Sequence, residues 1–423
     1  MTLPGRIRAT AAYLWSDGRG PTLLTVAAAW FLALGMRLAF PAALPYVRAD
    51  LGLDNATAGL LVTALWGSYA ITQFPAGLLT DRVGERRILV VSTLLGGLAT
   101  LALGATAGLG GAVLGVVLFG LGTGLFATPR VMVISHLYPD RATTALGVVF
   151  AAGNVGNAVL PALVGVTAGI LGWRAGFLAA APLFLVAAVG VRLALPGTSP
   201  GPAADASSAD DPDGSGDDAA TGAPDIVAAA AELRRRPVRF ATAALILFAF
   251  GYQGLVGFLP TYLVDAKGVA PEVASLLFGV FFASGLIAQL AAGTLADAYG
   301  RRRLLVATLA VTVVGIVALT LAGGVAAIAG VVALLGVQLG FWPVVNAYAY
   351  DALSGGSRGG GYGFIRTVYL VLGATGPLVV GSLFDANRYD GGFVVLAAVF
   401  ALVLLVCATL PAVERPAGAS EPA

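Results

Sequence analysis

Cysteine, histidine and lysine each occur once in this sequence, as Cys407, His136 and Lys267. A single cysteine excludes an internal disulfide, and one histidine beside one cysteine excludes the ligand sets of structural zinc sites. Charged residues are also scarce, because they make up 11% of the chain against about 25% in soluble domains. The sequence shows no paired carboxylates, nucleophile–base set or phosphate-binding loop, so it predicts no enzyme and neither a metal nor a cofactor site.

The residues that are present are mainly apolar: 58% of the 423 residues are hydrophobic, and the mean hydropathy is +0.90. Spanning a bilayer core takes a helix of roughly 20 apolar residues. The 58 glycines indicate close packing between such helices. The sequence therefore predicts an all-α membrane protein with twelve transmembrane helices, over residues 22–47, 57–79, 88–108, 111–136, 143–170, 173–195, 238–263, 271–296, 303–322, 325–350, 361–384 and 392–412.

Basic residues are unevenly divided between the loops. The predicted external loops hold only Arg48, Arg174, Lys267 and Arg388, and the other basic residues outside the helices fall in predicted cytoplasmic segments. Because arginine and lysine are retained on the cytoplasmic side, we expect a multi-pass protein of the cell membrane with both termini inside. The lipid bilayer is thus a predicted partner, and nothing indicates a nucleic acid.

A stretch of different composition divides the chain in two. Residues 196–237 contain a run rich in Gly, Pro, Ser and Asp that carries no basic residue before Arg234. Such a composition cannot bury enough apolar surface to fold, which predicts an acidic, largely disordered cytoplasmic linker. The other predicted domains are a cytoplasmic N-terminal segment (1–21), two six-helix bundles (22–195 and 238–412) and a cytoplasmic tail (413–423).

A polar motif follows the second predicted helix and recurs after the eighth. The first copy is GLLTDRVGERR, residues 77–87, and the second is GTLADAYGRRR, residues 293–303. Both read Gly-x3-Asp-x2-Gly and end in an arginine cluster. Repetition of a polar signature at corresponding places indicates a tandem duplication of one membrane unit.

The motif, its repetition and the two sets of six helices resemble the major facilitator superfamily over nearly the whole chain. The sequence departs from the family pattern at Glu85, where a basic residue is usual. The resemblance implies two bundles related by pseudo-two-fold symmetry that rock about a midplane substrate site.

The resemblance also implies that both copies of the motif act as conformational latches. The alternative is that they serve only as positive-inside anchors. The predicted latch residues are Gly77, Asp81, Arg82, Gly84, Arg86 and Arg87 in the first copy, and Gly293, Asp297, Gly300, Arg301 and Arg302 in the second.

One arginine, Arg37, lies near the middle of the first predicted helix. No acidic residue lies at comparable depth in any predicted helix. A central arginine costs at least about 2.5–3.5 kcal/mol on insertion scales, so it should face a polar cavity. Its planar guanidinium suits a carboxylate or a phosphate, and we therefore expect it to contact an anionic substrate. The alternative is hydrogen bonding to backbone carbonyls around Pro41 or Pro45.

Arg130 and Arg366 lie inside the fourth and eleventh predicted helices. Each is about six residues, roughly 9 Å, from the cytoplasmic helix end, which snorkelling could bridge. Helices 4 and 11 face the cavity in the superfamily, so the resemblance implies that both could instead bind substrate. Arginines in helices 1 and 4 together resemble its organic-anion branch, the anion–cation symporters.

Polar and aromatic side chains at helical depth complete the predicted site, although single ones could instead join neighbouring helices by hydrogen bonds. The tenth helix carries four such residues at steps of four, which predicts one continuous stripe: Gln338, Trp342, Asn346 and Tyr350. The predicted substrate-binding set is Arg37, Tyr69, Gln73, Arg130, Asn154, Asn157, Tyr252, Gln253, Gln289, Gln338, Trp342, Asn346, Arg366 and Tyr369.

The sequence thus predicts a monomeric secondary transporter that moves a small organic anion by alternating access. One alternative is an exporter of drugs or hydrophobic compounds in which Arg37 is structural, and another is a solute sensor that does not transport. Coupling to H⁺ or Na⁺ stays open beside uniport and anion exchange, since the candidate titratable residues lie near helix ends.

Overall fold

The computed structural model describes residues 12–195, 232–353 and 358–411, without the side chains of Asp17, Phe74 and residues 358–360. The predicted N-terminal segment is therefore described only from residue 12. Of the predicted linker, only residues 232–237 fall inside the described ranges, and the predicted tail lies outside them.

Helices account for the regular structure of the described ranges, which contain no strand. Within these ranges, eleven helices are long and apolar enough to cross a bilayer, and the remaining one, α2, has 29 residues with its charges at the end. The predicted all-α fold with twelve transmembrane helices is confirmed. The helices are α1 (Gly20–Leu51), α2 (Asn55–Val83), α3 (Glu85–Ala105), α4 (Leu109–Leu137), α5 (Ala142–Leu171), α6 (Trp173–Ala194), α7 (Arg236–Asp265), α8 (Pro271–Tyr299), α9 (Arg301–Leu321), α10 (Val325–Ala352), α11 (Arg358–Gly373 and Gly376–Asp385) and α12 (Tyr389–Ala408).

Several helices extend beyond their apolar runs, because glycines rather than hydropathy set their ends. α1 continues to Leu51 and α2 to Val83. The next residues with positive φ are Gly52 (63°) and Gly84 (91°), and Gly300 (88°) separates α8 from α9 in the same way. Only glycine adopts this conformation without steric cost. Hydropathy locates the membrane core, whereas these glycines locate the helix ends.

The tenth and eleventh helices are interrupted, in contrast to the continuous runs predicted for them. α10 contains a 3₁₀ segment, Gly336–Gly340. A Cβ on Gly336 would lie 2.3 Å from the carbonyl oxygen of Phe281, so this turn lies directly against the α8 backbone. α11 breaks after Gly373, because Pro377 has no N–H to donate to the Gly373 carbonyl.

Contacts divide the described residues into two compact units. Unit 1 comprises residues 12–53, 64–195 and 270–279, and unit 2 comprises residues 54–63, 232–269 and the described residues from 280 onward. The first turns of α2 therefore pack with unit 2, and the first turns of α8 pack with unit 1.

In unit 1, α1 and α5 pack backbone to backbone. A Cβ on Gly35 would lie 2.4 Å from the Gly156 carbonyl oxygen, and a Cβ on Gly156 would lie 2.3 Å from the Phe31 carbonyl oxygen. This close approach agrees with the packing predicted from the glycine content. Because Arg37 follows Gly35 by two residues, the contact also fixes the part of α1 that carries this arginine.

Candidate functional site

Arg37 lies in the middle of α1, inside unit 1, and is only 6% exposed. Its Nε and Nη1 atoms are buried, and neither has a hydrogen-bond partner among the described residues. The backbone carbonyls near Pro41 and Pro45, which were the alternative partners, therefore do not satisfy these donors. The result is a buried guanidinium with unused donors at Nε and Nη1.

Two aromatic rings of α2 surround this guanidinium. Its Cζ atom lies 4.6 Å from the ring centroid of Trp66 and 4.2 Å from that of Tyr69. The two ring planes are perpendicular, with centroids 6.0 Å apart, so the rings form a corner around the cation. Attraction between a cation and an aromatic face stabilises the charge. Unlike a carboxylate, which would accept a hydrogen bond from the guanidinium, a ring face leaves the N–H donors unused. Tyr69 belongs to the predicted set, whereas Trp66 does not. The sequence pattern that could have identified Trp66 is its position three residues before Tyr69, which places both on one helix face.

Arg130, on α4, has similar surroundings and is 4% exposed. Its Cζ lies 3.7 Å from the ring centroid of Trp30 and 4.9 Å from that of Phe150. Trp30 also stacks on Phe126 at 5.8 Å. Trp30 and Arg37 are seven residues apart on α1 and so lie on one face, about 10 Å apart along the axis. Unit 1 thus contains two buried arginines that lie against aromatic rings. Arg37 belongs to α1, and Arg130 of α4 lies against Trp30 of α1.

The predicted amide residues of unit 1 have different roles. Gln73 donates through Nε2 to the carbonyl oxygen of Gly124 at 3.2 Å and so joins α2 to α4. Asn157 of α5 is buried, and its Oδ1 accepts no hydrogen bond from the described residues. Asn154, one turn away, is half-buried. Of the three, Asn157 leaves an acceptor available for a ligand.

In unit 2, the predicted residues of α7, α10 and α11 meet in an aromatic cluster. Trp342 packs edge to face against Tyr252 at 5.7 Å and is tilted against Tyr369 at 5.8 Å. It also meets Phe248, which stacks on Phe341 with centroids 3.9 Å apart. Sequence reasoning did not select the two phenylalanines, since apolar aromatic residues are common in any membrane helix.

Two glutamines of unit 2 are buried with unused amide atoms. The side chain of Gln338 is fully buried, and neither amide atom has a partner among the described residues. The Oε1 atom of Gln253 is likewise buried and without a described partner. Gln338 lies in the 3₁₀ segment of α10 rather than in a regular α-helix, so the predicted stripe does not continue through it at the 3.6-residue period.

The other predicted residues of unit 2 lie on α8, α10 and α11. Asn346 donates to the Trp342 carbonyl at 2.8 Å and accepts from the hydroxyl of Tyr362 at 2.8 Å, which ties α10 to α11. Arg366 and Gln289 are both half-buried, on α11 and α8.

The two motif copies share one backbone geometry. Gly84 N–H donates to the Thr80 carbonyl at 2.8 Å, and Gly300 N–H donates to the Ala296 carbonyl at 2.9 Å. Both glycines have positive φ, which explains the fixed last position of the motif. Gly77 and Gly293 lie within their helices, and neither would bring a Cβ closer than 3.9 Å to a neighbour.

The charged motif residues differ more between the copies. Asp81 is exposed and forms no ion pair with the described residues, while Arg86 donates to the Leu195 carbonyl at 3.3 Å. In the second copy, Arg301 forms an ion pair of 2.6 Å with Asp351 at the end of α10. The remaining charged residues of the predicted latch set are exposed: Arg82, Arg87, Asp297 and Arg302.

Glu85, which departs from the family pattern, is buried and contacts His136 of α4 with Oε1 and Nδ1 2.9 Å apart. This pair explains why an acidic residue is stable there, since the histidine side chain can donate to it. Within the described residues, no group of three His, Cys, Asp or Glu side chains could hold a metal ion.

The sequence matches the profile of the Major Facilitator Superfamily over residues 25–270 and 262–423. The chain belongs to this family, as its repeated motif predicts. It is 25% identical to the hexuronate transporter of Bacillus subtilis (strain 168), over 96% of this chain and 98% of that protein. It is 26% identical to the probable sulfoacetate transporter SauU of Cupriavidus necator, over 92% and 93% of the two chains.

Solved structures support the same fold. A mutant of the nucleoside transporter NupG matches with a TM-score of 0.78 at 11% sequence identity, over 92% of this chain and 99% of that one. The fold and the family together define a transporter of small solutes.

Proposed function

We propose that this transporter moves a small organic anion, with a carboxylate as the simplest case, and that Arg37 is the main anion ligand. The observation that carries the proposal is the pair of unused donors on the buried Arg37 guanidinium. Hexuronate and sulfoacetate, the solutes in the names of two relatives, are both anions.

The energetics of burial support a ligand that carries negative charge. A buried cation without a charged partner is costly, and stability alone would favour an apolar residue at this position. No described acidic side chain pairs with Arg37, so a bound anion is the partner that would complete its interactions. Charge-assisted hydrogen bonds from a guanidinium to the oxygens of a carboxylate are stronger than bonds between neutral groups.

The other predicted binding residues are assigned supporting roles in this proposal. Asn157, Gln253 and Gln338 retain buried amide atoms that could bond a polar substrate. Tyr252, Trp342 and Tyr369 would offer ring faces to its apolar surface. Arg130 is the second candidate anion ligand.

The aromatic cluster of unit 2 favours a second candidate, an exporter of hydrophobic compounds. Rings of this kind bind lipophilic cations as well as apolar solutes. In that case Arg37 is structural. A non-transporting sensor is the remaining alternative, and it would bind a solute without moving it.

Transport would proceed by alternating access, with the motif residues of both units as latches and both termini in the cytoplasm of a cell-membrane monomer. Asp81 would form its latch contact in a state other than the one described. The coupling ion, H⁺ or Na⁺, can be identified once a substrate is known.

The latch role of the motif can be tested with the same substrate. Asp81→Asn should slow transport without weakening substrate binding. An unchanged transport rate would mean that the motif serves only as a positive-inside anchor.

The experiment is uptake into proteoliposomes containing the full chain, with galacturonate, glucuronate, sulfoacetate, a sugar phosphate and a lipophilic cation as probes. Arg37→Gln should abolish transport of the anions, and Arg37→Lys should restore little because an ammonium lacks the planar fork. Arg192→Gln, which removes an exposed arginine of α6, is the matched control. Transport of the cation that is unchanged in Arg37→Gln would contradict the anion proposal and favour the exporter.

A further inference from the structure

The surroundings of Arg37 contain a third unused donor. The indole Nε1 of Trp66 is buried and has no hydrogen-bond partner among the described residues. It belongs to the ring whose centroid lies 4.6 Å from the Arg37 Cζ. An indole N–H can only donate, so a buried one without an acceptor is a second unsatisfied group beside the guanidinium.

The corner geometry explains how the cation is held while its donors stay unused. Because the Trp66 and Tyr69 ring planes are perpendicular, a planar guanidinium cannot lie parallel to both. Its Cζ nevertheless lies close to both ring centroids, at 4.6 Å and 4.2 Å. Both faces attract the positive charge and restrict the guanidinium orientation, yet neither ring provides an oxygen that would occupy Nε or Nη1.

We propose that the Arg37 guanidinium and Trp66 Nε1 form a shared donor seat for one oxyanion, and that the Tyr69 ring positions the guanidinium. One oxygen of the ligand accepts from an unused guanidinium N–H, and a second accepts from the indole. The ligand class is a carboxylate or a sulfonate, both of which present two adjacent oxygens. The inference rests on the proposed function, because it assumes that the anion binds at Arg37.

The seat assigns separable roles to the two rings, which gives a graded series of variants. Trp66→Phe retains a ring face but removes the N–H, and Trp66→Leu removes both. Tyr69→Phe retains the ring face, whereas Tyr69→Leu removes it. Phe119→Leu is the matched control, because Phe119 packs edge to face against Phe184 at 5.9 Å in the same unit and is not among the rings beside Arg37.

The test measures dissociation constants of the purified full chain for galacturonate, sulfoacetate and the neutral amide of galacturonate. Trp66→Phe should weaken binding of both anions about 10- to 100-fold, the contribution of one charge-assisted hydrogen bond. Trp66→Leu should weaken it further and Tyr69→Leu about 3- to 30-fold, whereas Tyr69→Phe should lose less than Tyr69→Leu because it retains the ring face. Binding of the neutral amide should change little, which a general loss of structure would not produce.

Two results separate this inference from the proposed function. If Arg37→Gln binds the anions like the wild type, the proposed function of Arg37 is wrong. If Arg37→Gln loses binding while Trp66→Phe, Trp66→Leu and Tyr69→Leu keep wild-type affinity, only the shared donor seat is wrong.

A measurement without ligand tests the positioning role even if no probe binds. In protein labelled with ¹⁵N-arginine, the Nε–H resonance of Arg37 can be assigned from its absence in Arg37→Lys. Aromatic faces at this distance should shift it upfield. The shift should disappear in Trp66→Leu and Tyr69→Leu and persist in Phe119→Leu, and an unshifted wild-type resonance would overturn the proposed corner.

Discussion

Asp385, the last residue of α11, caps the start of α2 at Asn55. Its Oδ1 accepts a 2.7 Å hydrogen bond from the Asn55 backbone N–H, and its Oδ2 accepts one of 2.7 Å from the Ala56 N–H. The partners are 330 residues apart in sequence. A carboxylate here satisfies free N–H groups of the first turn and interacts favourably with the positive end of the helix dipole.

Loss of this cap should destabilise the protein. We expect Asp385→Ala to lower the free energy of unfolding by about 1–3 kcal/mol, since two amide donors lose a charged acceptor. Thermal unfolding in detergent measures the change. Ser382→Ala is the control, because the Ser382 hydroxyl donates only to the Leu378 carbonyl of its own helix. Equal unfolding temperatures for the two variants would mean that the cap adds no stability.

The second cap of α2 should make stability depend on acid pH. Asp54 accepts a 2.7 Å hydrogen bond from the Thr57 backbone N–H. Hydrogen bonds from Thr57, first from its side chain and then from its backbone, hold the pKa of the Asp54 carboxyl below its ordinary value. The stabilisation is therefore present above the unfolded pKa of about 3.9 and disappears as the pH falls through the lower folded pKa.

Unfolding temperatures of wild type and Asp54→Asn should consequently differ near neutral pH and converge below about pH 4. A difference that persists or grows on acidification would contradict this assignment of the cap.

The positive φ of Gly300 predicts a cost for any other residue. A Cβ there would meet nothing within 4 Å, so Gly300→Ala tests backbone conformation alone and should cost about 1–2 kcal/mol. Gly293→Ala is matched, because it also has open space but lies in the interior of α8. There alanine should stabilise by about 0.5–1 kcal/mol. We expect the two variants to change the unfolding temperature in opposite directions. A change in the same direction for both would show that positive φ is not the reason for glycine at position 300.

Close packing of α1 on α5 should be intolerant of a single methyl group. Gly35→Ala would place a Cβ 2.4 Å from the Gly156 carbonyl oxygen, so the helices must separate at a cost of about 1–3 kcal/mol or more. Gly67→Ala on α2, where nothing lies within 4 Å, should be neutral or stabilising. An unchanged unfolding temperature for Gly35→Ala would mean that this contact is looser than described.

The ion pair between Arg301 and Asp351 should contribute little stability, since both side chains are about 30% exposed. Exposed pairs contribute about 0–1 kcal/mol. We expect Asp351→Asn to change the unfolding temperature only slightly, and to alter the transport rate if the second motif acts as a latch. A double-mutant cycle with Arg301→Gln measures the pair, and a coupling well above this range would show that it is structural.

Reasoning from sequence identified the residues whose chemistry conflicts with their surroundings. Arg37 was found because an arginine in an apolar helix is expensive, and Gly84 and Gly300 because the same spacing occurs twice. Trp66 lay outside the predicted set because it carries no charge that would mark it in an apolar helix, and only the three-dimensional contact with Arg37 distinguishes it. Gln73 was included for its polarity, although in the structure it bonds the backbone of α4.

Helix number, the duplicated motif and the anomalous charge of Arg37 were determined by the sequence itself, because hydropathy, spacing and the cost of burying charge are local properties. The 3₁₀ segment of α10, the cap that Asp385 provides for α2 and the aromatic corner around Arg37 were decided only by the tertiary structure. Each depends on groups brought together from distant parts of the chain, and the energies of such contacts are set by distances and orientations that sequence spacing does not contain.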